Sequence, residues 1–248
     1  MKTVSELEII HPDWPAPATV HACTVCRGGG VSAAPYDSLN LGDHVDDDPA
    51  AVKTNRALLK QHLALPSDPR WLKQVHGVQV ADAGVVLEPV EADAAYTHKA
   101  GVVCAVLTAD CLPVLFCSKK GDQVAAAHAG WRGLLAGVLE NTVVKLGEPS
   151  ENLLAWMGPA IGPKAFEVGD EVREAFVSLQ NEASEAFQPS PSGRWLADIY
   201  LLARQRLQRL GLTAVYGGDF CTYSDTHRFY SFRRDGVTGR MASLIWFE

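Results

Sequence analysis

The sequence of 248 residues predicts a mixed α/β fold, organised as a single domain (residues 1–248) with residues 1–13 as an N-terminal segment. Short apolar runs rich in Val and Leu, typical of buried strands, are interspersed with stretches whose apolar residues recur at helical spacing. Some of these strand-like runs follow one another without a helix between them, which argues against a doubly wound parallel sheet. No repeat, low-complexity block or long Pro/Gly-rich linker divides the chain.

Three stretches carry the spacing and the end signals of helices. Residues 49–63 follow Asp48, a good N-cap, and begin with a proline at the first helical position. Apolar residues then recur on one face over residues 131–146, which predicts one helix ended by the glycine that follows. A third helix is predicted over residues 199–210, capped by Asp198 and again followed by a glycine.

Six apolar runs predict the strands. Three of them contain mostly Val, Leu and Ala and are separated only by turn residues, so we expect them to form the centre of the sheet. The remaining three lie near the C-terminus and close the chain. In order, the predicted strands are residues 102–107, 112–117, 124–127, 213–216, 229–232 and 241–247.

Composition and charge narrow the classes of function. Hydrophobic residues make up 47% of the chain and charged residues 21%, which is typical of folded globular proteins and not of disordered ones. The chain has 22 Lys and Arg against 29 Asp and Glu, a net charge of −7, so its field repels phosphate backbones and anionic lipids. We therefore expect neither a nucleic-acid nor a membrane partner, and the oligomeric state is left open.

The sequence also bears on the compartment. Residues 1–12 contain no long apolar run, so no signal peptide is predicted. The most apolar stretch, residues 101–117, is interrupted by Asp110 and Pro113 and is typical of two buried strands around a turn, not of a membrane span. Six cysteines without a secretory signal indicate free thiols in a reducing compartment. We expect a cytoplasmic protein.

One thiol and two imidazoles stand at the boundaries of predicted strands. His76, Cys111 and His128 offer nitrogen, sulfur and nitrogen donors, a set that suits Zn²⁺ and leaves the fourth tetrahedral position open, as in catalytic zinc sites. Their separations of 35 and 17 positions match no short zinc-finger pattern, so the fold must bring them together. The spacing alone favours one buried cysteine and two hydrogen-bonded histidines over a metal site.

Longer motifs, in one order along the chain, carry a family resemblance. They are GGVS (29–32), SLNLG (38–42), TADCLPVLF (108–116), AAAHAGWRG (125–133), GPAIGP (158–163), FEVG (166–169), FRRDG (232–236) and TGRM (238–241). From about residue 14 to the C-terminus, the chain resembles the YfiH family, also named multicopper polyphenol oxidase or laccase domain.

The resemblance implies both a fold and an activity. The fold would have two mixed β-sheets between helical layers, in the order α/β/β/α. His76, Cys111 and His128 would correspond to the metal ligands. The implied activity is that of a zinc-dependent purine nucleoside enzyme, which phosphorolyses adenosine, inosine and methylthioadenosine and deaminates adenosine. The family is also linked to copper-dependent oxidation of phenols and to editing of peptidoglycan precursors, which requires amide hydrolysis.

Three residues are candidates for catalysis. Cys111 is the expected metal ligand, and the adjacent Asp110 is a candidate for orienting a ligand or accepting a proton, although Asp is also common in turns without a function. Arg27 stands beside three glycines whose backbone can approach an anion, and arginine is the expected phosphate clamp. The alternative for that glycine run is an ordinary turn.

Four further residues are candidates for substrate binding. Asn40 is suited to hydrogen-bond a ribose or a base, but also to cap a turn. Arg132 falls in the first turn of a predicted helix, where a cation opposes the helix dipole, which favours an ion-paired or functional role. Arg233 and Arg234 precede Asp-Gly, are predicted at a strand edge next to a tight turn, and are candidates for phosphate binding.

The chain departs from the family pattern at two places. Relatives commonly have threonine before Arg27, where this chain has Val25 and Cys26, and they have glycine where this chain has Asp46. Neither position is a predicted metal ligand. Cys23 and Cys26 have the spacing of a Cys-x-x-Cys motif, but on a strand that spacing places them on opposite faces, so we expect a structural role.

Other functions stay open on the same residues. A metal-free thiol hydrolase would use Cys111 as nucleophile and His128 as base. A binding protein without turnover would need a fourth protein ligand, such as Asp110 or His227, to close the metal site. The eight histidines include no His-x-His pair, so a laccase copper cluster is not expected, although Cu²⁺ would bind the same three ligands.

Overall fold

The structure is a computed structural model that describes residues 7–248. The helices among these residues are α1 (Pro49–His62), α2 (Trp131–Ala136), α3 (Val138–Leu146), α4 (Asp170–Leu179), α5 (Ile199–Arg209) and α6 (Phe232–Asp235). The strands are β1 (Ile9–Ile10), β2 (Val20–Val25), β3 (Val80–Asp82), β4 (Ala94–Thr97), β5 (Cys104–Thr108), β6 (Leu112–Ser118), β7 (Val124–Ala129), β8 (Leu153–Met157), β9 (Glu167–Val168), β10 (Phe187–Pro189), β11 (Trp195–Ala197), β12 (Val215–Gly217) and β13 (Met241–Phe247).

The strands form two large sheets and one small one. The first large sheet has the order β1-β2-β13-β5 and is antiparallel throughout. The second has the order β12-β8-β6-β7-β4-β3 and is mixed, because its two outermost pairs are parallel. A three-stranded sheet, β10-β11-β9, lies apart from both. Strands β5 and β6 are consecutive in the chain but belong to different large sheets, so the turn between them joins the two.

The core has three layers of buried side chains. One layer lies between the two large sheets and includes Val106, Leu115 and Ile245. A second lies between the mixed sheet and the helices α3, α4 and α5, and includes Leu139. The third lies between the antiparallel sheet and α1, and includes Leu59. This is the α/β/β/α order that the resemblance implies, and the predicted mixed α/β class is confirmed.

Local capping signals located two helices to within a residue or two. Asp48 accepts a hydrogen bond from the backbone N–H of Ala50 at 2.9 Å at the start of α1. Asp198 accepts one from Leu201 at 3.0 Å at the start of α5. In both cases, a carboxylate satisfies an N–H that has no partner within the helix.

The single helix predicted over residues 131–146 is wrong. Gly137 has a left-handed backbone conformation, with φ of 104°, and ends α2 while it begins α3. A glycine adopts this conformation without the steric cost that a Cβ brings, and it is a poor residue inside a helix. Both helices pack on the same face of the mixed sheet, which is why the apolar periodicity continues across the break.

The strand predicted over residues 229–232 is also wrong. Phe229 and Tyr230 are fully buried but lie in no strand, and α6 begins at Phe232. Ser231 caps that helix by accepting a hydrogen bond from the N–H of Arg234 at 3.2 Å. The apolar run reflects burial in a loop, which short hydrophobic runs do not distinguish from a strand. Arg233 and Arg234 are therefore helical and do not lie at a strand edge.

Two further features bear on membrane spans and on the cysteines. No helix among residues 7–248 is long and apolar enough to cross a bilayer. All six cysteines are free, and burial raises the pKa of both Cys23 and Cys26 to about 12. The two side chains pack into different hydrophobic clusters.

Candidate active site

Three segments converge at one edge of the mixed sheet. Cys111 ends the turn between β5 and β6, and His128 lies near the end of β7, directly opposite Pro113 of β6. His76 lies in the loop that precedes β3. The antiparallel register of β6 and β7 brings the first two together, and the loop closes over them. The donor atoms of His76, Cys111 and His128 all lie within 4.8 Å of one another.

The spacing of these donors suits a tetrahedral metal. Cys111 Sγ lies 3.7 Å from His76 Nε2, and ligand bonds of 2.3 Å to sulfur and 2.0–2.1 Å to nitrogen place two tetrahedral ligands about 3.6 Å apart. The rings of His76 and His128 are nearly perpendicular, with centroids 4.8 Å apart. His128 is buried, Cys111 is half-buried and His76 is exposed. The donor set therefore opens toward solvent on one side.

Backbone geometry makes room for this close approach. A Cβ on Gly130 would lie 2.9 Å from His76 Cδ2 and 3.0 Å from Cys111 Sγ. His76 and Asp110 both have positive φ, 59° and 92°, which is costly for a residue with a side chain. Such backbone conformations cluster at functional sites, where the surrounding contacts hold them in place.

A buried carboxylate organises the centre. Asp93 is fully buried, and its Oδ1 accepts hydrogen bonds from His128 Nδ1 at 2.8 Å and from the N–H of His76 at 2.9 Å. Its Oδ2 accepts from the N–H groups of Gly77 at 2.6 Å and Val75 at 3.2 Å. With the proton of His128 held on Nδ1, Nε2 is left free as a ligand atom. Asp93 thus orients one histidine through its ring and the other through its backbone.

The charges of Cys111, His128 and Asp93 shift one another's pKa values. Burial raises the pKa of Cys111, but the charge and hydrogen bonds of His128 and His76 outweigh it and lower the pKa to about 6. Burial lowers the pKa of His128, but the Cys111 thiolate and Asp93 raise it to about 9. For Asp93, hydrogen bonds from His128 and Gly77 outweigh burial and lower the pKa. Both shifts favour a thiolate beside an imidazolium when no metal is bound.

Asp110 joins this centre to α6. Its Oδ1 accepts a hydrogen bond from Thr222 Oγ1 at 2.6 Å, and its Oδ2 accepts from the backbone N–H of Arg233 at 2.7 Å. The Arg233 guanidinium donates to the carbonyl of Glu167 at 2.8 Å, and much of the side chain is exposed. The metal-capable group consists of three residues, and neither Asp110 nor His227 belongs to it in the part of the chain that the structure describes.

Arg234, one of the predicted substrate-binding arginines, contacts other parts of the protein. Arg234 donates from Nη1 to the carbonyls of Thr222 and Tyr223, from Nη2 to that of Phe229, and from Nε and Nη2 to its neighbour Asp235. All of its donors are used, so the structure does not support direct phosphate binding by this side chain.

Arg27 is similarly engaged. It donates to the carbonyls of Asp37 and Thr226 and lies over the ring of Tyr230, 4.8 Å from its centroid. These contacts join the loop after β2 to the segment before α6. Arg132 is exposed and lies over the ring of Trp131, 4.4 Å from its centroid.

Asn40 is fully buried and holds a neighbouring loop. Its Oδ1 accepts from the N–H groups of Gly42 and Arg240, each at 2.9 Å, and its Nδ2 donates to Asp47 Oδ2 at 2.9 Å and to the Gly42 carbonyl. Because the whole amide is used, the structure does not support a direct contact of Asn40 with substrate. Asp46, in the same loop, has φ of 64°, a left-handed conformation that glycine adopts without steric cost.

Sequence reasoning missed two residues of this region, Asp93 and Arg240. Asp93 is the only acidic residue in the stretch from residue 92 to residue 97, which is otherwise small, apolar or hydroxylated, and that isolation was a usable signal. Arg240 lies inside the TGRM motif, and the residues around it in the sequence do not indicate that it lies beside the turn that carries Cys111.

Comparison with known proteins assigns the family. Residues 21–248 match the family described as multi-copper polyphenol oxidoreductase laccase. The chain is 60% identical over 238 residues to a purine nucleoside phosphorylase of Pseudomonas aeruginosa, covering 96% of this chain and 97% of that protein. It is 56% identical over 240 residues to purine nucleoside phosphorylase YfiH of Escherichia coli, covering 96% and 98%. The chain belongs to the YfiH family.

Solved structures of the YfiH family share this fold. A Neisseria meningitidis protein of family DUF152 is 49% identical with a TM-score of 0.94, covering 98% of this chain and 100% of that one. YlmD of Geobacillus stearothermophilus is 30% identical with a TM-score of 0.86, covering 94% of each chain. The resemblance drawn from the sequence motifs is therefore confirmed.

Proposed function

We propose that this chain is a zinc-dependent purine nucleoside phosphorylase that acts on adenosine, inosine and methylthioadenosine and also deaminates adenosine. The observation that carries the proposal is the three-donor group of His76, Cys111 and His128 at the open edge of the sheet, in a chain 60% identical to a named purine nucleoside phosphorylase. An open coordination position is typical of catalytic and not of structural zinc.

The donor chemistry supports zinc as the metal. One thiolate and two neutral imidazoles match the borderline softness of Zn²⁺, and Cu²⁺ would bind the same atoms. When bound, zinc would supply a Lewis acid at the solvent-facing side of the site. His128 would bind through Nε2, because Asp93 holds the proton of this ring on Nδ1.

Phosphorolysis sets the demands on the other side chains. An oxygen of hydrogen phosphate forms a bond to C1′ of the nucleoside while the C1′–N9 bond breaks. The bonding pair leaves with the purine, and the proton of the phosphate passes to a purine ring nitrogen. The products are the free purine and ribose 1-phosphate. The protein must hold an anion and a nucleoside in contact and exclude competing water.

The remaining candidates take different roles in this proposal. Asp110 fixes the approach of α6 to Cys111 through its bond to the Arg233 N–H, so we assign it a positioning role. The exposed side chains of Arg132 and Arg233 are available to contact substrate. Arg27 shapes the rim through its contacts to neighbouring carbonyls, and we assign it the same kind of positioning role.

The test is product analysis of adenosine incubated with the zinc-loaded protein, with and without phosphate, by mass spectrometry. We expect adenine and ribose 1-phosphate only when phosphate is present, and inosine in either case. The Cys111→Ala variant should form neither. Absence of all products from the wild-type protein would refute the proposal.

A second candidate function is supported by one observation. Cys111, His128 and Asp93 have the order of a thiol hydrolase triad, in which the carboxylate orients the histidine and the histidine pairs with the thiolate. In an amide substrate, the thiolate would attack the carbonyl carbon and the imidazolium would protonate the leaving nitrogen. A chelator separates the two functions, because it should abolish the zinc-dependent activity and leave a thiol hydrolase active.

A further inference from the structure

Arg240 lies beside the turn that carries Cys111. It immediately precedes β13, whose first residue, Met241, is paired with Thr108 at the end of β5. Antiparallel pairing therefore places Arg240 alongside the turn that contains Asp110 and Cys111. Burial lowers the pKa of Arg240, while the negative charges of Cys111 and Asp110 raise it, which is consistent with this placement.

The stem of Arg240 is held in place by close contacts. Its backbone N–H donates to Asn40 Oδ1 at 2.9 Å. A Cβ on Gly42 would lie 2.8 Å from Arg240 Cγ and 3.1 Å from its Cβ, so only a glycine lets the stem pass. The guanidinium carbon lies 5.8 Å from the ring centroid of Phe232, the first residue of α6. The charged group is thus presented in one position by three separate segments.

Part of this guanidinium is unused. Nη1 donates to the carbonyls of Thr238 and Gly239 at 2.9 and 3.0 Å. Among residues 7–248, no hydrogen-bond acceptor lies in range of Nε or Nη2, and no carboxylate lies within 4.0 Å of the group. Neither free nitrogen is sealed from solvent. Arg234, by contrast, has its donors satisfied by carbonyls and a carboxylate.

We propose that Arg240 binds the phosphate co-substrate through Nε and Nη2. This inference rests on the proposed phosphorylase function and names the anion-binding residue that it needs. Two parallel N–H donors of one guanidinium match two phosphate oxygens, and a fixed stem means that little side-chain entropy is lost on binding. The partly desolvated setting strengthens the attraction. Phosphate held there lies beside the turn that carries Asp110 and Cys111.

The same contacts give Asn40 and Phe232 a role. The Asn40 amide holds the backbone of Arg240 and does not itself touch phosphate. Phe232 is 57% exposed, which is unusual for a phenylalanine, and its ring flanks the guanidinium.

The experiment compares zinc-loaded wild-type protein with Arg240→Gln and Arg240→Lys. Initial rates of adenosine phosphorolysis are measured against phosphate and against adenosine, and binding of inorganic phosphate is measured by titration calorimetry. For Arg240→Gln, we expect KM for phosphate to rise about 10- to 100-fold, with KM for adenosine and the zinc content unchanged. Arg240→Lys keeps the charge but loses the paired donors and should lie between the two. Arg209→Gln, at the end of α5, is the matched control, because among residues 7–248 this arginine donates hydrogen bonds only to Gln180 Oε1 and the Leu179 carbonyl.

The outcomes separate this inference from the proposed function. An unchanged KM for phosphate in Arg240→Gln, or loss of zinc with no change in phosphate binding, would overturn the role of Arg240. If the wild-type protein forms no ribose 1-phosphate, the phosphorylase proposal fails. Calorimetry then still decides the anion site: phosphate binding that disappears in Arg240→Gln supports it, and no binding to the wild-type protein overturns it. Arg240→Lys provides a folded variant if Arg240→Gln is unstable.

Discussion

Replacing Asp93 by Asn tests the organisation of the metal centre most directly. Asn has the same shape as Asp but carries one oxygen and one NH₂ group. If the oxygen takes the Oδ1 position, it still accepts from His128 and His76, but the NH₂ group then faces the N–H groups of Gly77 and Val75. If the amide is flipped, the NH₂ group faces His128 Nδ1 and the N–H of His76 instead. Either orientation leaves two of the donors that Asp93 satisfies without an acceptor.

The expected size of the effect follows from these contacts. Each donor left unsatisfied away from water costs about 1–3 kcal/mol, so with two such donors the free energy of unfolding should fall by about 2–6 kcal/mol in total. Loss of a carboxylate that supports a metal-ligating histidine typically weakens metal binding about 10- to 100-fold. We therefore expect Asp93→Asn to fold, to be less stable than wild type, and to bind zinc at least about tenfold more weakly.

The assay is competition for zinc with a chromophoric chelator, together with urea unfolding of the metal-free protein. Asp198→Asn is the matched control, because Asp198 caps α5 by one hydrogen bond from Leu201 and asparagine caps helices about equally well. We expect that variant to keep both stability and zinc affinity. Wild-type zinc affinity in Asp93→Asn would show that the carboxylate does not orient the ligands, and the reasoning would be wrong.

Three further predictions concern the metal centre and the break between α2 and α3. Cys111→Ala should lose both zinc and activity, while Cys26→Ala, which removes a buried thiol elsewhere, should keep both; metal analysis and product analysis decide this, and activity in Cys111→Ala would end the zinc hypothesis. Gly130→Ala should weaken zinc binding at least about tenfold, because its Cβ would lie 3.0 Å from Cys111 Sγ; unchanged affinity would mean that the site expands freely. Gly137→Ala should lower the free energy of unfolding by about 1–2 kcal/mol through its positive φ without changing zinc affinity, as measured by urea unfolding.

Where the signal was local, the sequence predicted the fold well. Asp48 and Asp198 mark helix starts because capping depends only on the next three residues. The sequence failed at Gly137 and at Phe229, where the outcome depends on contacts made elsewhere. A glycine inside an apolar periodicity can be tolerated or can end the helix, and an apolar run can be buried without a strand partner.

The sequence predicted the three donor side chains of the candidate site but not the hydrogen bonds that connect them. Sequence alone does not reveal that Asp93 contacts both histidines, because the contacts span 35 positions to His128 and 17 to His76. Asn40 illustrates the converse: its amide, in the SLNLG motif, suggested a substrate contact, while its partners are backbone groups and Asp47. Polar residue types can be identified from sequence, but their hydrogen-bond partners are set by the fold.

The topology places the metal centre and the proposed phosphate site at a single turn. The turn that carries Asp110 and Cys111 joins the two large sheets, since β5 belongs to one and β6 to the other. Pairing of Met241 with Thr108 fixes Arg240 on one side of that turn, and pairing of Leu112 with Ala129 fixes the His128 strand on the other. A shift in register of either pair would separate anion and metal. Asp93 and Arg240 act on opposite sides of this turn. We therefore expect Asp93→Asn to weaken zinc binding and Arg240→Gln to weaken phosphate binding. In the double variant, each affinity should fall by the same factor as in the single variant.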